Sequence, residues 1–175
     1  MLYRILTAVF SLIVVADAQC KGGGVMAEYS ANAVQTINPG EDATFTVVDP
    51  CMRGFVRHRE GSGSFLLSGW TPRRSCCTKS ASYLVDFGAN IAIPTGEDVG
   101  EISVAFTIDG SIVPATEMIV TPAAVEEYFN VSRASNIDVW RGCCETVSVR
   151  NTSDIPILMQ NANIIFTRPD LTMTY

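Results

Sequence analysis

The residues best able to do chemistry in this chain are six cysteines and one histidine. Beyond Cys20, the cysteines stand as Cys51, the adjacent pair Cys76-Cys77 and the adjacent pair Cys143-Cys144. Clustered thiolates hold zinc, but structural zinc sites space their ligands about two to four residues apart, which adjacent cysteines do not. In an exported chain a disulfide joining the two pairs is open to them, and the odd cysteine is left for Cys20 or another chain. In a reducing compartment the same thiols serve as small packing residues. A single histidine, His58, excludes every two-histidine metal motif. As a catalytic base it would need a nucleophile and an orienting acid. The chain has no Gly-x-Ser-x-Gly elbow and no cysteine–histidine protease signature. The residues therefore nominate no catalytic, cofactor-binding or metal set.

Binding is better represented. Arg57, His58 and Arg59, with Arg73 and Arg74, make a locally basic region in an acidic chain. Arginine forks take phosphate or glycan groups, but they also pair with surrounding acids, within or between subunits. His58 itself reads as the polar face of a strand or an inter-subunit contact. Trp70 and Trp140 offer either a sugar-stacking surface or core and interface packing. Gly40-Glu41-Asp42 and Gly96-Glu97-Asp98 are oxygen-rich turns, but an EF-hand loop pattern is absent, so they read as solvated acids. Asn130-Val131-Ser132 and Asn151-Thr152-Ser153 match glycosylation acceptors and read as turn residues.

Short strands must position these groups. Apolar residues make up 47% of the 175-residue chain, charged residues 17%, and mean hydropathy is +0.23, enough to build one full core. A net charge of −6 and a pI near 4.7 make the chain a poor partner for nucleic acid. Glu101–Asp109 shows the clearest pattern. Ile102, Val104, Phe106 and Ile108 alternate with polar Glu101, Ser103, Thr107 and Asp109, the period of a half-buried strand. Asp109-Gly110 then predicts a tight hairpin, the chain returning through Ser111–Val113 or Met118–Val120. Similar runs predict strands over Ala33–Ile37, Ala43–Val48, Gly54–Arg59, Ser64–Leu67, Ser82–Ile93, Ile137–Trp140, Glu145–Arg150, Ile155–Gln160 and Asn163–Arg168. Turn residues separate them, including Asp49-Pro50. Pro122–Phe129, after Thr121 as a candidate N-cap, is the one expected helix. So many short strands imply an all-β antiparallel jelly-roll sandwich.

The first 25 residues differ in kind. Arg4, the apolar run Ile5–Val15 and small Ala16 and Ala18 form a secretory signal with cleavage before Gln19. The run is too short for a comfortable membrane span, so no span is expected in the mature chain. Alternatively, Lys21-Gly22-Gly23 is encodable as a bacterial ribosome-binding sequence, with Met26 the true start. The expected domains are therefore 1–25, a signal peptide or mistranslated upstream segment, and 26–175, the jelly roll. The first reading places the protein at the cell surface or outside the cell, the second in a virion or within the cell. From Met26 the chain keeps ten basic residues, nine of them arginine, and seventeen acidic ones.

Met26–Ala33, Tyr83–Phe87, Asn90–Gly96, Gly100–Gly110, Met118–Val125, Arg141–Cys144, Thr146–Asn151 and Gln160–Arg168 together resemble a small-protein family of Firmicutes and their phages. That family is similar to the tumour-necrosis-factor-like jelly rolls that end bacterial collagen-like surface proteins. The resemblance spans roughly Met26 to Arg168. It implies a non-enzymatic structural or adhesive module, and it brings no catalytic residues or cofactor. No collagen Gly-X-Y stalk accompanies it here, which leaves the fibre role of the stalked relatives without its sequence basis. A homotrimer is expected, since Ile155–Met159 and Asn163–Phe166 hold more apolar residues than one sheet face needs. A surface glycan or protein is the expected ligand. The rivals are a glycan-binding lectin and a secreted thiol- or metal-dependent hydrolase.

Overall fold

The computed structural model describes residues 26–48, 54–71 and 79–171. Twelve strands run through them: β1 (Met26–Ala31), β2 (Gln35–Ile37), β3 (Val47–Val48), β4 (Val56–His58), β5 (Phe65–Ser68), β6 (Ser80–Ala92), β7 (Ile102–Ile108), β8 (Ser111–Ile112), β9 (Met118–Val120), β10 (Phe129–Trp140), β11 (Cys144–Asn151) and β12 (Ile157–Thr167). They form two antiparallel sheets. One has the order β10-β6-β12-β1-β3, with β2 also on β12; the other has the order β4-β5-β11-β7-β8, with β9 also on β7. The chain changes sheet between β3 and β4, β5 and β6, β6 and β7, β9 and β10, β10 and β11, and β11 and β12. Long strands that repeatedly cross between two sheets are the mark of a jelly roll.

Alternation builds the core. Along β6, Ala81, Tyr83, Val85, Phe87, Ala89 and Ile91 are buried while the intervening residues are not. Their inward faces meet an aromatic cluster in which Phe65 lies 4.8 Å from Tyr29, 5.1 Å from Phe45 and 4.9 Å from Phe166, ring centre to ring centre. Offset and edge-on contacts of this kind add to the burial of large rings. The expected hairpin is present: Asp109 and Gly110 sit at φ 48° and 80°, and Ile108 pairs Ser111 across them. Both central residues having positive φ is the geometry an Asp-Gly hairpin favours. β8 and β9 both return along β7.

Several elements depart from the sequence pattern, among them the run expected over Ala43–Val48, which is a strand only at Val47–Val48. Pro122–Phe129 is a turn rather than a helix: Glu126 sits at φ 57°, and the Glu127 carboxylate accepts from the Ala123 and Ala124 amides at 3.0 and 3.2 Å. A left-handed residue cannot continue a helix. The two strands expected over 155–168 are one strand, β12, with a bulge between Gln160 and Asn163 and Asn161 at φ 51°. β10 extends upstream of Ile137 to Phe129, because its polar residues face outward on a sheet edge. On β7, Ser103 and Thr107 are buried rather than solvated; Ser103 Oγ meets Thr152 Oγ1 at 2.7 Å and Thr107 Oγ1 meets Ser148 Oγ at 2.6 Å. β1 lacked a sequence signal, since small alanines carry its inward face with Tyr29.

Candidate functional site

Two grooves contain the residues singled out by sequence. The first lies over β4 and β5, where Arg57, His58, Arg59, Ser62, Ser64 and Thr146 line about 440 Å³. Arg57 and Arg59 are exposed. His58 is not a free group. Its ring stacks on Phe65 at 4.5 Å and 19° and meets Tyr29 edge-on at 4.9 Å. Nδ1 lies 3.1 Å from the Ser64 carbonyl and Nε2 lies 3.1 Å from the Phe45 carbonyl. Whichever nitrogen carries the proton donates to the carbonyl beside it, so the ring fastens β4 to the Phe45 or the Ser64 segment according to tautomer.

The second groove, about 390 Å³, opens where β5 ends and the β10–β11 turn begins, and is lined by Trp70, Thr71, Arg141, Cys143 and Cys144. Its floor depends on Gly69. A Cβ there would stand 2.0 Å from the Trp140 carbonyl oxygen and 2.8 Å from that of Cys143, so only glycine allows the backbones to meet. The Gly69 amide donates to the Cys143 carbonyl at 2.9 Å, and the Cys143 amide donates to that of Trp140 at 2.9 Å. Cys143 and Cys144 are exposed free thiols. Cys51, Cys76 and Cys77 lie outside the described residues, as do Arg73, Arg74 and the Asp49-Pro50 turn. Among the described residues no three His, Cys, Asp or Glu side chains gather as a metal site.

Trp70 and Trp140 are 54% and 62% exposed, so neither fills the core of the single chain. Behind Trp70 lies a layered stack. Phe55 stacks on Trp70 at 5.7 Å and 28°; the Arg168 guanidinium lies 5.2 Å from the Phe55 ring and 4.8 Å from the Tyr83 ring. Arg168 is 1% exposed and its charge is matched by Asp170, with Nε to Oδ1 at 2.8 Å and Nη2 to Oδ2 at 2.6 Å. Nη2 also donates to the Trp70 carbonyl at 3.1 Å, and Nη1 donates to the Tyr83 hydroxyl oxygen at 3.3 Å. The Tyr83 hydroxyl donates to the Ser68 carbonyl at 2.6 Å. Burial pushes the Tyr83 phenol pKa up, against the pull of the Arg168 hydrogen bond and charge. Sequence reading missed Phe55, Tyr83 and Arg168, which are far apart in the chain; each looks like an ordinary strand or strand-end residue until the sheets bring them together.

The two glycosylation acceptors part company. Asn130 is exposed at the start of β10. Asn151 is 1% exposed, and its Nδ2 donates to the Ile37 and Ile155 carbonyls at 2.9 Å each, so it is a structural tie. The turn acids are structural in part as well: Glu41 accepts from Asn38, and Asp42 pairs with Arg150 at 2.8 Å.

No protein-family profile matches the chain, and no curated protein does. Solved structures do match. The Eiger TNF of S. frugiperda aligns with 82% of this chain and 90% of its own at a TM-score of 0.59 and 10% identity. Murine APRIL aligns with 82% and 97% at 0.55 and 8% identity. The globular domain of zebrafish complement 1qA protein aligns with 81% and 92% at 0.52 and 12% identity. At such identities the likeness is one of fold, and the fold is the two-sheet antiparallel jelly roll of the tumour-necrosis-factor and C1q type.

Proposed function

We propose that the chain assembles as a homotrimer and acts as a non-enzymatic structural or adhesive module, presenting its loops to a partner at a cell surface or on a virion. The observation that carries the assembly is the outward face of the sheet β10-β6-β12-β1-β3. There Leu84, Leu158 and Ile165 are half-buried on the side away from the core, around Gly88. The carboxylates on this face are Asp86, in register with Ile165, Glu28, which accepts from Asn163 Nδ2 at 2.5 Å, and Asp138 on the edge strand β10. A solvated sheet face ordinarily alternates apolar-in with charged-out, and a low-charge outward face fits a second copy of the chain. The signal-like residues before Met26 support a surface or secreted setting, and their ribosome-site reading a virion or intracellular one. No helix among the described residues is long and apolar enough to cross a membrane.

His58 argues against the hydrolase. Its ring nitrogens face the Ser64 and Phe45 carbonyls, and no cysteine, aspartate or glutamate among the described residues lines its groove, so the nucleophile and orienting acid a hydrolase needs are not beside it. Light scattering of the purified chain tests the assembly: the mass of three chains is expected, and a monomer at micromolar concentration refutes it. Ile165→Arg should dissociate the trimer with the monomer's β spectrum kept.

A further inference from the structure

We propose that the Trp70–Arg141 groove binds an acidic saccharide, a pyranose ring carrying a carboxylate. The proposal rests on the reading of the chain as a binding module, but not on its oligomeric state, since the groove lies within one chain. Three independent features point to it.

The first is the indole. An exposed tryptophan on a loose loop is an ordinary surface residue, but Trp70 is held from behind. Phe55 covers one face at 5.7 Å, Arg168 and Tyr83 continue the stack, and the Trp70 backbone is tied by Arg168 to its carbonyl and by Ser68 Oγ to its amide at 3.3 Å. More than half of the residue still faces solvent, so a rigid flat apolar surface is open to the groove. Such a surface takes the C–H face of a sugar ring at little entropic cost.

The second is Thr71, which is 4% exposed and lines the groove, while its Oγ1 has no hydrogen-bond partner among the described residues. A buried unpaired hydroxyl is costly, and a ligand hydroxyl meets that need once the groove wall shifts to admit it, since the oxygen is closed to solvent in the unliganded chain. The third is charge. Arg141 is exposed at the groove and no carboxylate lines it. The neighbouring Asp170 is committed to Arg168. An arginine left without an acid, in a chain of net charge −6, offers its fork to a carboxylate and repels a cationic ligand. Trp70 and Arg141 thus present a stacking face and an anion fork at one groove, with the unpaired Thr71 hydroxyl buried in its wall.

The chain has two tryptophans, so Trp140→Phe leaves Trp70 as the sole fluorophore. Titrating that variant with methyl β-glucuronide, and in parallel with methyl β-glucoside, should give a saturable change in Trp70 emission, about tenfold weaker for the neutral sugar. Arg141→Gln should weaken the glucuronide to the level of the glucoside. Thr71→Val should weaken both sugars without lowering the thermal midpoint. Saturation-transfer NMR on the unsubstituted chain gives the same comparison without depending on the folding of a variant. Absence of binding by both readouts, equal binding of the two sugars, or an unchanged glucuronide affinity in Arg141→Gln overturns the proposal. Light scattering on the same samples reports the trimer separately, so failure of the sugar site and failure of the assembly are told apart.

Discussion

Replacing Arg168 by methionine should unfold the end of the sandwich that carries Trp70. Arg168 is 1% exposed, and among the described residues it is the one cation paired with Asp170, whose side chain is 24% exposed. The substitution keeps an unbranched apolar stem, so volume changes little. What it removes is a two-pronged ion pair at 2.8 and 2.6 Å, a donor to the Trp70 carbonyl at 3.1 Å, and the cation between the Phe55 and Tyr83 rings. Tyr83 keeps its bond to the Ser68 carbonyl, so the main loss falls on Asp170 and Trp70. Removing one partner of a buried, hydrogen-bonded pair costs about 3–5 kcal/mol. Urea denaturation at fixed chain concentration, followed by circular dichroism, should show that loss as a lower midpoint with a similar slope. Arg168→Lys should recover only part of it, because an ammonium cannot span both Asp170 oxygens and the Trp70 carbonyl as a planar fork does. If Arg168→Met is within about 1 kcal/mol of the parent, the stack is not held by the cation, and the rigidity assigned to Trp70 loses its basis.

Three further substitutions test separate parts of the fold. Gly69→Ala forces apart backbones that would stand 2.0 Å from the new Cβ and should cost about 2–4 kcal/mol in thermal or urea unfolding, while Gly100→Ala, with open space around it, should be near neutral. Asn151→Ala leaves the Ile37 and Ile155 carbonyls without their donor and should cost about 2–3 kcal/mol by urea denaturation, with Asn151→Asp no better because it also lacks the amide donor. Burial, then the charges of Asp109 and Asp138, push the Glu145 carboxyl pKa up. The folded state therefore binds the proton more tightly than the unfolded chain, and that contribution to stability is lost as pH rises through the folded pKa. Glu145→Gln should accordingly raise the thermal midpoint at neutral pH, with the gain closing in acid; a gain independent of pH would refute this origin.

Strand periodicity was most legible where one face is apolar and the other polar. β6 and much of β11 show that alternation, and Asp109-Gly110 named its own hairpin. The pattern failed where burial is set by neighbours beyond the strand. Ser103 and Thr107 carry a polar period yet are buried, because Thr152 and Ser148 hydroxyls satisfy them across the sheet. β10 carries too many polar residues to look like a strand, because its register comes from β6, paired from Ser80 to Ile91. Pro122–Phe129 has helix-like composition, but the Glu126 amide is captured by the Ile93 carbonyl at 2.8 Å and the segment turns instead.

The candidate site was half legible for a related reason. Trp70 and the cysteine pair stand out by residue type, but nothing in their spacing announces that Phe55, Tyr83 and Arg168 will stack behind the indole. Such long-range layering is written in no local pattern, yet it leaves a structural signature. Elsewhere departures are single: Gly63 is pressed against Asp42 and Ala43, and Trp140 is exposed, while His58, Asn151 and Arg150 all find partners. At one end four departures occur together. A tryptophan is exposed, an arginine is buried, a threonine hydroxyl is unpaired, and a glycine is pressed against backbone. Departures from local consistency lower stability and persist where something else selects them. Scattered, they would be accidents of packing. Gly69, Trp70 and Thr71 line one groove and Arg168 braces Trp70 from behind it, a clustering that supports the proposed saccharide site.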